Sequence, residues 1–154
     1  MATIEIKNAD RLIQKLNNIS NMDLVNTMNK ATELVHAQAK TLAPVDTGNL
    51  AGSIHLKVLQ AGTVLQGKVY TNLSYAPYVE FGTGSKGNGT YPNKKLGLTY
   101  RSTPWVYTPN GEDFYRTEGQ VAQPYMYPAI QRNKKHIKEM FKVGVDKNLG
   151  EICK

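Results

Sequence analysis

Apolar residues recur along this chain with two different periods, and the switches between them divide it into elements. Thr3-Ile4-Glu5-Ile6-Lys7 alternates polar and apolar side chains and predicts a short strand. Asn8 or Asp10 is then placed to cap a short helix over 11–18, with Leu12, Leu16 and Ile19 on one face. A longer helix is predicted from about 23 to 43. There Leu24, Met28, Ala31, Val35 and Leu42 follow the helical period, with Leu34 and Ala39 beside them. Pro44 ends it, because the residue before a proline is pushed out of the helical region.

Beyond the turn Val45-Asp46-Thr47-Gly48 the period changes to two. Ile54, Leu56 and Val58 alternate with His55 and Lys57, the pattern of a half-buried strand. Ala61-Gly62-Thr63 is the predicted reversal, and 64–72 returns as an antiparallel partner, with Gly67 marking a candidate bulge. The stretch 85–103 is poor in apolar residues and carries Gly87, Gly89, Pro92 and Gly97 among lysines and asparagines, so it reads as a long loop. Two short aromatic-rich strands follow, 105–108 and 113–117, joined at Pro109-Asn110-Gly111.

A last helix is predicted to start near 126–128. Pro128 suits its first turn, where a missing N–H costs nothing. Ala129, Ile130, Ile137, Met140, Phe141 and Val145 form its apolar face, and Gly144, about 1 kcal/mol worse than alanine, loosens or ends it. Hairpins lying between segregated helices predict an α+β fold, an antiparallel sheet with a long helix and a C-terminal helix packed on it. The expectation is one domain over 1–154, with a loop and hairpin inserted at about 85–118.

Composition narrows the function classes. The 154 residues can bury a core without staples, and the single Cys153 has no partner for an intrachain disulfide. Residues 1–8 lack the apolar core of a secretory signal, and no apolar run approaches a bilayer-spanning length, so the reading is a protein kept in a cytoplasm. The net charge of +7 fits either phosphates or an acidic protein partner. Basic residues gather in the loop (Lys86, Lys94, Lys95, Arg101) and along the last helix, where Arg132, Lys134, Lys135, Lys138, Lys142 and Lys147 read as a solvated face.

Candidate chemistry is sparse. His36, His55 and His136 are scattered, without metal-ligand spacing, and no CxxC, HExxH or GxSxG pattern occurs. Gly82-Thr83-Gly84 followed by Lys86 lacks the spacing of a phosphate loop. A recognition helix is not evident either, since the long helix is apolar and alanine-bearing. Two carboxylates stand out. Asp46 sits in a turn where it can bond the backbone two residues on, and Glu80 sits among apolar and aromatic neighbours, where it needs a cationic or hydrogen-bonding partner. The reading for both is structural rather than acid–base, and no catalytic, cofactor-binding or metal-binding residue is assigned.

Three blocks in order carry a resemblance. They are Ala43-Pro44-Val45-Asp46-Thr47-Gly48-Asn49-Leu50 with Ser53-Ile54, then Tyr75-Ala76-Pro77-Tyr78-Val79-Glu80-Phe81-Gly82-Thr83-Gly84, then Gln123-Pro124-Tyr125-Met126-Tyr127-Pro128-Ala129. Together they resemble the tail-component family of long-tailed phages, which includes head–tail joining and tail-completion proteins, over roughly 31–141. In the physical reading Pro44 and Gly48 turn the chain out of the long helix, with Asp46 and Thr47 satisfying backbone groups. Gly82 and Gly84 permit positive φ, and Pro124 and Pro128 set the entry to the last helix.

The resemblance implies a structural, non-enzymatic virion protein, made in the host cytoplasm and then carried in the tail or neck. It would assemble with itself into a ring, commonly sixfold, and with other neck and tail proteins. The loop bearing Lys86, Lys94, Lys95 and Arg101 would face a partner or the DNA channel, without base reading. The chain departs from short family members in its long insert, which carries Trp105, and in Tyr125, where phenylalanine is more usual. The competing reading is a sequence-independent nucleic-acid-binding module, suggested by the positive charge and by aromatics near lysines.

Overall fold

The computed structural model describes residues 9–62 and 64–152, with side chains for 24–62 and 64–146; the predicted strand at Thr3–Lys7, the Asn8 cap, the face of Leu12, Leu16 and Ile19 and the Lys147 side chain lie outside those limits. The fold is α+β, with helices and small antiparallel two-stranded sheets. Its elements are α1 (Ala9–Leu42), α2 (Asn49–Gly52), β1 (Ile54–Ala61), β2 (Val64–Thr71), α3 (Ala76–Phe81), α4 (Gly84–Gly87), a 3-10 turn (Lys94–Leu96), β3 (Trp105–Tyr107), β4 (Tyr115–Thr117), the two-residue β5 (Gly119–Gln120) and α5 (Met126–Ile152).

The predicted pair of N-terminal helices is one helix. α1 runs unbroken through Ser20-Asn21 and takes in Asp10, which is therefore not its cap. Neither proline nor glycine lies between its two predicted halves, so nothing removes a hydrogen bond there. The other end behaves as predicted, with α1 stopping at Leu42 just before Ala43-Pro44.

The chain divides into two compact units. Among the described residues, the first comprises 9–34, 56–62, 64–68 and 133–152. Among its described residues, small side chains stand at the closest approaches. Ala31 and Thr32 are buried, and a methyl group on Gly67 would overlap the Thr32 hydroxyl and press on the Met28 sulfur at 3.1 Å. Gly67 is therefore the point where the hairpin comes close to α1. Gly144 does similar work on the last helix. It neither ends nor visibly loosens α5, and a Cβ there would stand 3.3 Å from the Thr27 hydroxyl.

The second unit comprises Val35–His55 and Val69–Arg132. Val35 and Ala39 of α1 and the following Ala43 are buried here, with Leu50, Ile54, Ala76, Tyr91, Tyr125 and Ala129. The His36 ring meets the Ile54 carbonyl at 2.9 Å, a structural role for that histidine. Ser53 ties the hairpin base together, bonding Thr71 Oγ1 at 2.7 Å and donating to the Leu50 carbonyl at 2.8 Å.

Two predicted apolar faces are less buried than their periods imply. Ile54 is buried, but Leu56 is exposed and Val58 only half-buried. On α5, Ile130 and Val145 are exposed, while Ile137, Met140 and Phe141 are half-buried and the lysines through Lys142 are solvated as expected.

Candidate functional site

The sequence pattern assigns no element to Tyr75–Phe81, yet six of its residues form the helix α3, with Pro77 in its first turn. That turn matters because it points Glu80 inward. The Glu80 side chain is 5% exposed, and its two oxygens accept four bonds. Oε2 receives the backbone N–H of Tyr125 at 2.7 Å and of Met126 at 2.9 Å. Oε1 receives the N–H of Tyr127 at 3.0 Å and the phenol O–H of Tyr91 at 3.3 Å.

This arrangement solves a local problem completely. The opening N–H groups of a helix have no intrahelical acceptor. At the start of α5 the three available donors, Tyr125, Met126 and Tyr127, all go to one carboxylate, and the next residue, Pro128, has no N–H to satisfy. A negative group at this end also meets the positive pole of the helix dipole. The hydrogen-bonding partners that Glu80 needs are thus three backbone donors from the third sequence block and the phenol of Tyr91.

The surrounding aromatics close the node. The Tyr91 ring meets Phe81 edge-on at 5.0 Å and Tyr127 at 5.7 Å. Burial, reinforced by the Glu80 charge, pushes the Tyr125 phenol up to about 12. The same two causes, burial first, raise the Tyr91 phenol well above its ordinary range. Tyr91 belongs to the long loop and was not singled out from sequence. Nothing in its Gly-Pro-rich surroundings signals a core residue, and only the partner need of Glu80 hinted that some donor must exist.

The first block works differently from its sequence reading. Asp46 is exposed, and Gly48, at φ 78°, stands at the N-cap of α2 without a side-chain cap. Gly48 therefore makes the turn, and the predicted service of Asp46 and Thr47 to the backbone is not what starts α2. Leu50 is buried and Ser53 holds the hairpin base as described. Asp46 and Glu80 do not share an environment, one being solvated and the other enclosed.

Gly82 and Gly84 have the positive φ expected of them, 77° and 63°. Their purpose is close approach. Thr83 bridges to Gln120 and Gly84 to Gly119, and a Cβ on Gly84 would collide with the Glu118 carbonyl. This crossing stitches the two ends of the insert together, helped by Gln123 donating its N–H to Val79 O at 2.8 Å. Between the stitched ends, β3 and β4 pair in the register Trp105 with Thr117 and Tyr107 with Tyr115, so the predicted aromatic hairpin is present.

An open groove of about 900 Å³ runs beside this crossing, walled by Tyr75, Tyr78, Tyr100, Trp105 and Tyr107, with Arg101 its single charged lining residue. Tyr100 is fixed by donating its O–H to Phe81 O at 2.8 Å. The Arg101 guanidinium lies 5.5 Å over the Trp105 ring, and its Nε donates to Thr103 Oγ1 at 3.2 Å. The loop cations are not gathered into one patch by any shared ligand. Lys86, Lys94 and Lys95 are all exposed, and Lys94 donates to the Gly89 carbonyl. Among the described residues there is no cluster of histidine, cysteine and carboxylate side chains fit to hold a metal, and no helix long and apolar enough to cross a membrane.

Residues 10–82 match the family model described as "Bacteriophage HK97-gp10, putative tail-component". The match takes in the first sequence block and ends at Gly82 within the second, so the insert and the block around Tyr125 lie beyond it. No curated protein and no solved structure matches the chain.

Proposed function

We propose that this chain, whose first half is similar to a phage tail-component family, is a tail-completion or head–tail joining subunit that assembles into a ring at the head–tail interface. The observation that carries the reading is the Glu80 node. It locks the matched segment to the later block that the sequence resemblance also includes, so the two blocks form one structural unit rather than a reaction centre. A carboxylate holding four donors is occupied in scaffolding. Its partners are other copies, in a sixfold ring by analogy with the family, and neighbouring tail and neck proteins. Its place is the host cytoplasm during assembly and the virion afterwards.

Negative-stain microscopy of particles made with and without the gene product tests this. Filled heads beside separate or over-long tails are the expected result of its loss. Normal, infectious particles lacking it would overturn the reading.

Contact with DNA is the second reading, carried by the exposed Lys86, Lys94 and Lys95 in the insert. It predicts binding that weakens steeply with salt and is indifferent to sequence. A binding isotherm unchanged by salt, or no binding at low salt, removes it.

A further inference from the structure

The insert carries both halves of a contact. Between Asp46 and Glu112 the sequence has one carboxylate, Glu80, and that one is buried under four hydrogen bonds, whereas Lys57, Lys68, Lys86, Lys94, Lys95 and Arg101 all fall in the same interval. Most of the aromatic groove's lining comes from this stretch, and Arg101 is its single charged lining residue; the exposed Glu118 stands between the lining residues Thr117 and Gly119 without lining the groove itself. An occupant suited to it brings an aromatic or apolar anchor together with a carboxylate, because Arg guanidinium favours carboxylate acceptors and the ring faces favour apolar contact.

The chain itself displays such a segment. At the tip of the β3–β4 hairpin Glu112 and Asp113 stand next to Phe114, whose side chain is 78% exposed. The tip is also preorganised. Asn110 Oδ1 accepts the N–H groups of Glu112 at 3.3 Å and Asp113 at 3.1 Å, and Asn110 Nδ2 donates to Asp113 Oδ2 at 3.1 Å. A large apolar side chain held out by an ordered turn loses little entropy on docking. The strand that leads to the tip, β3, supplies Trp105 and Tyr107 to the groove wall, so each copy presents an acceptor at the hairpin base and a donor beyond it.

We propose that Phe114 of one copy, flanked by Glu112 and Asp113, seats in the groove of the next copy beside Arg101 and Trp105. The contact is head-to-tail, joining two different surfaces, and such contacts close into rings when the rotation between copies permits. The proposal deepens the ring reading above and rests on it.

The test places a photo-crosslinking aromatic at the tip, Phe114→p-benzoylphenylalanine, in gene product supplied to assembling phage, and maps the adducts in purified particles by mass spectrometry. Adducts from position 114 to 75–84 or 98–107 of a second copy are expected. Arg101→Glu lowers their yield about tenfold, and adding Asp113→Lys, which exchanges the charges, restores it. Copies that crosslink to one another only elsewhere, or adducts from position 114 to a different protein or to DNA, overturn this contact and leave the ring standing. An unchanged yield with Arg101→Glu overturns the assignment of the groove. Particles that hold the protein as isolated single copies, or hold none, overturn the ring and this contact together.

Discussion

Glu80 and Tyr125 lie 45 residues apart in the chain, yet the carboxylate of one accepts the backbone N–H of the other at 2.7 Å, the shortest of the four bonds at the head of α5. Because a single side chain serves every available donor there, its removal is felt by the whole first turn. Glu80→Gln keeps the shape but turns an NH2 group toward N–H donors. The expected cost is about 3 kcal/mol, seen as a fall in Tm of roughly 6–12 °C. A fall of less than about 2 °C would show that the node contributes little. Tyr91→Phe removes only the phenol bond and should cost about 1 kcal/mol by the same measurement.

The phenols beside this carboxylate give an alkaline signature. A tyrosine whose pKa is raised in the fold stabilises it fully below the unfolded value of 10.0, and the contribution disappears as pH rises toward the folded value. For Tyr125 that window runs from 10.0 to about 12, and Tyr91 is shifted in the same direction. Stability should therefore begin to fall near pH 10. Ultraviolet titration of the nine tyrosines should show a group that ionises late, together with loss of helical circular dichroism. If all nine ionise together near their ordinary value while the helices persist, the buried placement of these two rings is wrong.

Gly84→Ala tests the stitch across the insert. The backbone there has a φ of 63°, and the added methyl group meets the Glu118 carbonyl, which has no side-chain freedom to yield. A loss of about 1–3 kcal/mol is expected, with faster amide exchange at Lys86 and Gln120. Unchanged exchange at those amides would argue that the insert is held by other contacts.

Gly67→Ala probes the hairpin's approach to α1. Its methyl group overlaps the Thr32 hydroxyl, so the substitution should destabilise by about 1–3 kcal/mol. Combining it with Thr32→Ala removes the obstructing atoms and should recover part of the loss. A double variant no more stable than the sum of the single effects would deny that the two residues touch.

Local signals account for what the sequence made readable. The 3.6 period with Pro44 after it marks the end of α1, and the aromatic hairpin is legible because Pro109-Asn110-Gly111 supplies its turn. What escaped is set by long-range contact. α3 is six residues with a proline, too short for a period to declare itself, and it exists because Glu80 and Ala76 find a core to enter. The gap between the two predicted N-terminal helices falls at the polar Ser20-Asn21, but polarity without a helix-breaking residue does not stop a helix. Gly67 and Gly144 look like interruptions in sequence and prove to be points of close approach, a distinction that needs the neighbour in view. For Glu80 the need for a partner was legible and the partner was not, since backbone N–H groups leave no mark in a sequence.

The amino end of a helix ordinarily serves as a ready harbour for phosphate and other anions. At the head of α5 that harbour is already filled from inside, by Glu80 on three donors and by Pro128, which has none to offer. Any phosphate this protein meets there must be held by side chains alone. The salt dependence of such an encounter would then count lysines and arginines, with no share from the backbone N–H groups at this helix start, and neutralising the exposed cations of the insert one by one should reduce it in even steps.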